Sequence, residues 1–161
     1  ERVVGLLNRY FTAMTEIIFE YGGTLDKYIG DGLMAIFGAP TATPTDAVNA
    51  VKAAVAMQKR MVPLNDELQQ AGYSPVRVGI GLHTGVATIG YVGSEQRSEY
   101  TAIGDTVNLA ARLEQNAVGG QILISEATVS AAGNIFPVKG LEPLSVKNRL
   151  QPVALFELNW A

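Results

Sequence analysis

The sequence predicts an α+β fold, in which helices cover a mixed and largely antiparallel sheet. Apolar residues recur every three or four positions over residues 3–21, which is the pattern of an amphipathic helix. Two short apolar runs, residues 24–29 and 33–37, flank a tight Gly30-Asp31-Gly32 turn and predict a hairpin. Because short hairpins require antiparallel pairing, a doubly wound parallel sheet is disfavoured.

A second helix is expected to begin at Thr43-Pro44-Thr45-Asp46, which combines a capping hydroxyl, a proline at the first helical position and an early acidic residue. Pro63 is expected to kink or split this helix because proline lacks the amide proton of the helical ladder.

Alternating apolar residues over 76–82 predict a strand with one buried face.

The rest of the chain continues the interleaving of strands and helices. Asp105 or Thr106 is a plausible cap for a third helix. The other predicted elements are a strand over 86–92, a polar loop over 93–99, a strand over 122–124, a short helix over 126–132 and a closing antiparallel pair over 144–146 and 153–158.

Length and composition limit the classes of function. A chain of 161 residues fits a single domain, and 48% hydrophobic with 17% charged residues is typical of a compact globular protein. The net charge of -3 argues against nucleic-acid binding. The absence of cysteine excludes disulfides and thiolate metal sites. No apolar run approaches the roughly 20 residues that span a bilayer.

The first chemical motif is Lys27-Tyr28-Ile29-Gly30-Asp31-Gly32, which places a carboxylate in a glycine-flanked turn. Glycines allow close backbone approach to a ligand, and the carboxylate of Asp31 could hold Mg²⁺ against phosphate oxygens. An ordinary turn aspartate beside a solvated lysine is the alternative interpretation, and Asp-Gly is common in turns.

The second motif runs from Tyr100 to Arg112. Asn108 and Arg112 are four residues apart, so a helix presents both on one face. An amide beside a guanidinium suits an anionic, oxygen-rich ligand, whereas a solvated helix face would have the same spacing.

The third motif, Gly79-Ile80-Gly81-Leu82-His83-Thr84-Gly85, contains the only histidine of the sequence. A lone histidine cannot form a multi-histidine metal centre, and a structural role is expected for His83. The glycines match neither a Walker phosphate loop nor a dinucleotide-binding fingerprint, and they permit tight packing.

The order of the three motifs resembles the catalytic domain of class III adenylyl and guanylyl cyclases, over nearly the whole chain. That resemblance implies a ferredoxin-like α+β domain that dimerises head to tail, with catalytic sites shared between two copies. It also implies that a preceding strand carries a first metal-binding aspartate, so residues 1–161 are expected to be one domain without its first strand.

The resemblance assigns roles residue by residue. Asp31 resembles a metal-binding aspartate, for two Mg²⁺ or Mn²⁺ ions per site. Asn108 and Arg112 resemble the pair that orients the ribose and stabilises transition-state charge. Lys27 and Thr101 resemble an adenine-selecting pair, with threonine typical of one adenylyl cyclase subgroup. Lys147 resembles a lysine that contacts the terminal phosphates.

The function expected from this resemblance is conversion of ATP to cyclic AMP and pyrophosphate by a homodimer. A guanylyl cyclase and a non-catalytic, nucleotide-binding or dimerising module are the alternatives. A cytoplasmic location is expected, within a parent protein that carries regulatory domains and is either free or anchored to a membrane.

Overall fold

The structure is a computed structural model that describes residues 2–146 and 150–161. The described residues form four helices and eight strands, which confirms the predicted α+β class. They divide into two compact units, one made of the residues up to Val78 with Trp160–Ala161, the other of Gly79–Asn159. None of the described helices has the length and apolarity to span a membrane.

The first unit contains α1 (Arg2–Glu20), β1 (Thr24–Ile29), β2 (Gly32–Ile36) and α2 (Asp46–Gln70). The buried residues of α1 follow the predicted three-and-four spacing: Tyr10, Ala13, Met14, Ile17 and Ile18. This buried face arises because α1 contacts both α2 and β1.

Helix α1 ends as the sequence predicts. Gly22 has a φ of 84°, and the amide of Gly23 donates to the carbonyl of Ile18 at 2.8 Å. This left-handed residue followed by a six-to-one bond is the Schellman motif, which turns the chain directly into β1.

Pro63 does not split α2, which was one of the two expected effects of this residue. The helix runs without interruption from Asp46 to Gln70, and Pro63 is exposed while Met61 and Leu64 on either side are buried. The burial of Met61 and Leu64 therefore stabilises the helix at this point and compensates for the one backbone hydrogen bond that proline cannot donate.

The strand predicted over residues 76–82 is shorter in the structure, because its first half bonds to side chains of α2. Asn65 exchanges two hydrogen bonds with Val76, at 2.9 and 2.7 Å, and Gln58 Nε2 donates to the Val78 carbonyl at 2.7 Å. The strand itself, β3, contains only Ile80–Leu82.

The second unit contains β3, β4 (Thr88–Gly93), β5 (Ser98–Ile103), α3 (Asp105–Asn116), β6 (Ile122–Ser125), α4 (Glu126–Ala132), β7 (Val138–Gly140) and β8 (Leu155–Leu158). Four strands form a sheet in the order β3-β6-β8-β7, in which only the β3-β6 pair is parallel. The strands β4 and β5 form an antiparallel hairpin. Leu113 of α3 packs with Leu123 and Leu155 of the sheet.

Two strands of this unit were not predicted. Strand β5 lies partly within the expected loop over 93–99, and β7 is the partner of β8. The expected pair over 144–146 and 153–158 is reduced to a single bridge between Leu144 and Val153, after which β8 pairs with β6 and β7.

Candidate active site

Asp31 lies at the tip of the β1–β2 hairpin. Ile29 pairs with Gly32, so Gly30 and Asp31 form a two-residue loop, and the φ of 58° at Gly30 lies in the left-handed region that favours glycine. The Asp31 carboxylate is exposed and has no hydrogen-bond or ion-pair partner in the part of the chain that the structure describes. It is therefore open to a ligand from solution.

Lys27 lies on β1 next to a β-bulge. The register shifts between Leu25 and Lys27, which leaves Asp26 as the additional residue and pairs Lys27 with Met34. A bulge changes the direction in which neighbouring side chains point, and bulges are common beside functional sites. Lys27 is half-buried and makes no ion pair with a described residue.

Thr101 is a buried residue of the β4–β5 hairpin. Only 3% of Thr101 is exposed, and it pairs with Gly90 across the hairpin. Its hydroxyl donates to the Ala102 carbonyl at 3.5 Å. A buried hydroxyl held in one orientation can discriminate between ligands by the hydrogen bond that it offers them.

The strand that carries Thr101 is the main element missed by sequence reasoning. The strand begins with the polar residues Ser98 and Glu99, which are more typical of a loop. In the structure, the turn before it has four residues: Gly93 has a φ of 129°, and Ser94 and Arg97 exchange backbone hydrogen bonds. The Tyr91–Tyr100 cross-strand pair, with ring centroids 5.0 Å apart, is the sequence signal that could have found it.

Asn108 and Arg112 lie one turn apart on α3, as the spacing predicts. Both are exposed, and neither side chain has a polar partner among the described residues, although the Arg112 backbone carbonyl accepts a bond from Asn116 at 2.8 Å. An unpaired guanidinium next to a free amide is available for an anionic, oxygen-rich ligand.

The cap of α3 differs from the predicted one. Gly104 with a φ of 122° is the N-cap residue, and neither Asp105 nor Thr106 occupies that position. The Thr106 hydroxyl instead donates to the Val86 carbonyl. The first turn of α3 is thereby joined to the turn after β3.

The glycines before this turn allow α3 to pack closely on β3. A Cβ atom on Gly81 would lie 2.9 Å from the Ala110 carbonyl oxygen and closer still to the Glu114 nitrogen. A Cβ atom on Gly79 would lie 2.8 Å from the Ala117 carbonyl oxygen. The third motif therefore positions the helix of the second motif, and the predicted tight packing is confirmed.

The predicted site residues fall into two groups. Lys27 and Asp31 share the β1–β2 hairpin of the first unit, whereas Thr101, Asn108 and Arg112 belong to β5 and α3, which contact each other in the second unit. Lys147 lies outside the described residues.

A divalent cation would find one carboxylate at the Asp31 turn. Over the described residues, no group of three or more histidine, cysteine, aspartate or glutamate side chains is arranged to hold a metal. Mg²⁺ is commonly bound by one or two carboxylates, with water and substrate phosphates completing its octahedron. The exposed Asp31 fits such a site, in which most ligands come from the substrate and solvent.

Comparison with known proteins identifies the class of protein. Residues 1–158 match the family model described as the adenylate and guanylate cyclase catalytic domain, and the chain belongs to this family. It is 33% identical to adenylate cyclase 1 of Rhizobium meliloti over 160 residues, which are 98% of this chain and 24% of that protein. The chain thus spans about a quarter of the length of this relative.

Two solved structures with the same fold belong to cyclases of different substrate specificity. The guanylyl cyclase Cya2 is 40% identical with a TM-score of 0.92, over 98% of this chain and 80% of that one. The adenylyl cyclase CyaB from P. aeruginosa is 37% identical with a TM-score of 0.89, over 97% and 81%. Overall similarity therefore defines the family and leaves the choice of base to individual residues.

Proposed function

We propose that this chain is the catalytic domain of an adenylyl cyclase, which converts ATP to 3′,5′-cyclic AMP and pyrophosphate in a homodimer. The observation that carries the proposal is the exposed pair of Asn108 and Arg112 on α3, directly after the strand that holds the buried Thr101; neither side chain has a polar partner among the described residues. Similarity to named adenylate cyclases supports the same activity.

The reaction requires few chemical groups from the protein. The ribose 3′ oxygen forms a bond to the α-phosphorus and loses its proton, while the bond from that phosphorus to the oxygen bridging to the β-phosphate breaks and pyrophosphate leaves. Asn108 orients the ribose and Arg112 stabilises the charge that grows on the phosphates, which is where a fixed cation contributes most.

Asp31 is the residue proposed to bind the divalent cations. Mg²⁺ or Mn²⁺, when bound, lowers the pKa of the attacking hydroxyl and neutralises the leaving pyrophosphate. Binding of the expected two ions requires a second carboxylate in addition to Asp31. Lys147 is proposed to bind the terminal phosphates of the nucleotide.

Adenine selection is assigned to Lys27 and Thr101. Adenine has an acceptor at ring N1 and an exocyclic amine at C6, so a lysine donor and a threonine acceptor match its edge. Guanine instead presents a donor at N1, which would face the ammonium donor of Lys27. The Thr101 hydroxyl can either accept or donate, so discrimination between the bases rests mainly on Lys27. Mismatched buried polar groups discriminate strongly between such substrates.

A homodimer with shared sites is what the family resemblance implies, and we propose it for this chain. In the proposed arrangement, Asp31 of one copy acts with Lys27, Thr101, Asn108 and Arg112 of the other, so a two-fold pair has two equivalent sites. We infer that the β4–β5 hairpin contacts the second copy, because Thr101 lies on it and its neighbours Tyr91 and Tyr100 are 78% and 61% exposed. Exposed aromatic pairs of this kind are typical of interfaces.

The direct test is a comparison of ATP and GTP as substrates. The natural protein that contains this chain is incubated with each nucleotide and Mg²⁺ or Mn²⁺, and cyclic products are quantified by mass spectrometry. We expect cyclic AMP, with kcat/KM for ATP at least about tenfold above that for GTP, since each mismatched polar contact is worth roughly a factor of ten.

Two other outcomes would replace the proposal. Faster production of cyclic GMP would assign the domain to the guanylyl cyclases, the class of the structurally similar Cya2. Nucleotide binding with no cyclic product from either substrate would assign it to a non-catalytic nucleotide-binding or dimerising module.

A further inference from the structure

Four polar side chains in and beside the turn that follows β3 are hydrogen-bonded in series, and we call them the polar chain. His83 Nδ1 and Ser125 Oγ share a hydrogen bond of 2.7 Å, Ser125 Oγ and Thr128 Oγ1 are 3.3 Å apart, and Thr128 Oγ1 and Thr84 Oγ1 are 2.9 Å apart. Ser125 and Thr128 are each 1% exposed. The two buried hydroxyls, Ser125 and Thr128, hold this arrangement in one geometry, because breaking either of their bonds would leave an unsatisfied buried group.

This polar chain connects three elements of the second unit. Ser125 ends β6 and caps α4, since its side chain accepts a bond from the Thr128 amide at 3.4 Å. His83 and Thr84 follow β3 and begin the turn that continues through Gly85 to Val86. The ring of His83 and the hydroxyl of Thr84 therefore fasten that turn to the sheet and to α4.

The same turn supports the first turn of α3. The Thr106 hydroxyl donates to the Val86 carbonyl, and a Cβ atom on Gly85 would lie only 2.7 Å from Thr106 Oγ1. Asn108 is two residues beyond Thr106, and its amide donates to the Gly104 carbonyl at 3.1 Å in the same helical turn. A displacement of the turn would be passed to Asn108 through these close contacts.

We propose that His83 is a positioning residue that fixes the first turn of α3, and with it Asn108, through Ser125, Thr128, Thr84 and the turn contact of Thr106. The expected effect of His83 on turnover rests on the proposed function. Misplacement of a catalytic group by about 1 Å can lower a rate by roughly a hundredfold, so a residue that touches no substrate can still affect kcat.

The kinetic test uses the natural protein with His83→Phe, which keeps a ring and removes its nitrogens, and His83→Asn, whose amide replaces Nδ1. We expect His83→Phe to lower kcat for ATP by about 10- to 100-fold with KM changed less than about threefold, and His83→Asn to recover kcat to within about fivefold of the parent. A kcat for His83→Phe within twofold of the parent would overturn the inference.

A double-mutant cycle separates positioning from a general loss of stability. His83→Phe is combined with Thr106→Val, which removes the contact to Val86, and kcat is measured well below the unfolding temperature of each variant. If both act through the same turn, the double variant should lose no more than about threefold beyond the worse single variant. If the loss of kcat in the double variant equals the product of the two single losses, the two residues act independently, and this would contradict a connection between His83 and Thr106.

Amide hydrogen exchange gives a readout that needs no enzymatic activity. The Asn108 amide is compared with the Asn49 amide, which donates to the Thr45 carbonyl at 2.9 Å in the first turn of α2. His83→Phe should accelerate exchange at Asn108 by at least about fivefold and leave Asn49 unchanged, because local opening depends on local contacts.

The exchange result also separates the two levels of the proposal. Acceleration confined to Asn108, in a protein that forms no cyclic nucleotide, would keep the positioning role and reject the cyclase activity. An active cyclase in which neither exchange at Asn108 nor kcat responds to His83→Phe would reject the positioning role alone.

Discussion

Arg112 and Asn108 are exposed polar residues whose side chains have no partner within the described part of the chain. Their joint position on one face of α3 follows from the four-residue spacing and the helix that the apolar residues around them predict. Their roles toward a nucleotide could be inferred only from family resemblance. The burial of Thr101 could not be predicted either, because the strand that carries it was not recognised.

Replacement of Arg112 by alanine should reduce turnover more than binding. We expect Arg112→Ala and Asn108→Ala each to lower kcat for ATP by about 10²- to 10³-fold, with nucleotide affinity changed less than about tenfold, since both act on the transition state. Single-turnover kinetics and equilibrium nucleotide binding measure the two quantities. Glu114→Gln, a change at an exposed position on a different face of α3, is the control. Unchanged kcat in the Arg112 variant would show that Arg112 takes no part in the chemistry.

Lys27→Glu should impair the use of ATP more than the binding of Mg²⁺. A carboxylate in place of the ammonium removes the donor to adenine N1, so kcat/KM for ATP should fall by at least about tenfold while the Mg²⁺ dependence of the rate stays within about twofold. Lys59→Glu makes the same charge change at an exposed position of α2. Equal ATP kinetics in the Lys27 variant and the parent would exclude Lys27 from base selection.

At the scale of elements, the sequence correctly predicted the turns and helix ends that depend on hydrogen bonds between residues close together in the chain. The Gly22–Gly23 end of α1, the β1–β2 turn and the α4 boundaries agree with the structure. Errors arose where distant side chains decide the outcome. Asn65 and Gln58 bind the backbone at Val76 and Val78, which shortens β3, and packing on both sides of Pro63 preserves α2.

Gly81→Ala should destabilise the fold because it separates α3 from β3. The added methyl group would collide with backbone atoms of α3, which cannot rotate away as a side chain can, so we expect a loss of about 2–3 kcal/mol in the free energy of unfolding. Gly90→Ala is the matched control, as Gly90 is also in a strand but has open space around it. Urea denaturation measures both, and equal midpoints for the two variants would contradict this packing.

For the whole molecule, the proposed activity depends on a second copy of the chain. The structure contains one copy, and the sequence provides no direct signal of how two copies pair. What the structure adds is the exposure of Ile89, Tyr91 and Tyr100, which share one face of the β4–β5 hairpin because Tyr91 pairs with Tyr100 and Ile89 lies two residues before Tyr91. Exposed apolar and aromatic residues on one face of a hairpin are characteristic of an interaction site.

Tyr91→Lys should weaken dimerisation. An ammonium group placed in an apolar interface would be desolvated without a partner, so we expect the dimer dissociation constant, measured by sedimentation equilibrium, to rise at least about tenfold. Val118→Lys, at a residue that is 67% exposed outside the hairpin, should leave it within about twofold. An unchanged dissociation constant for Tyr91→Lys would exclude this hairpin from the dimer interface.

Complementation between two inactive variants tests the account most directly. Natural protein carrying Asp31→Asn is mixed with natural protein carrying Arg112→Ala, the subunits are allowed to exchange, and cyclic AMP formed from ATP is measured. In a mixed dimer, one site receives both lesions and the other receives neither. Random pairing makes half of the dimers mixed, so we predict a recovery to about a quarter of the parent activity. Activity no higher than the sum of the two separate variants would contradict an adenylyl cyclase with sites shared between two chains.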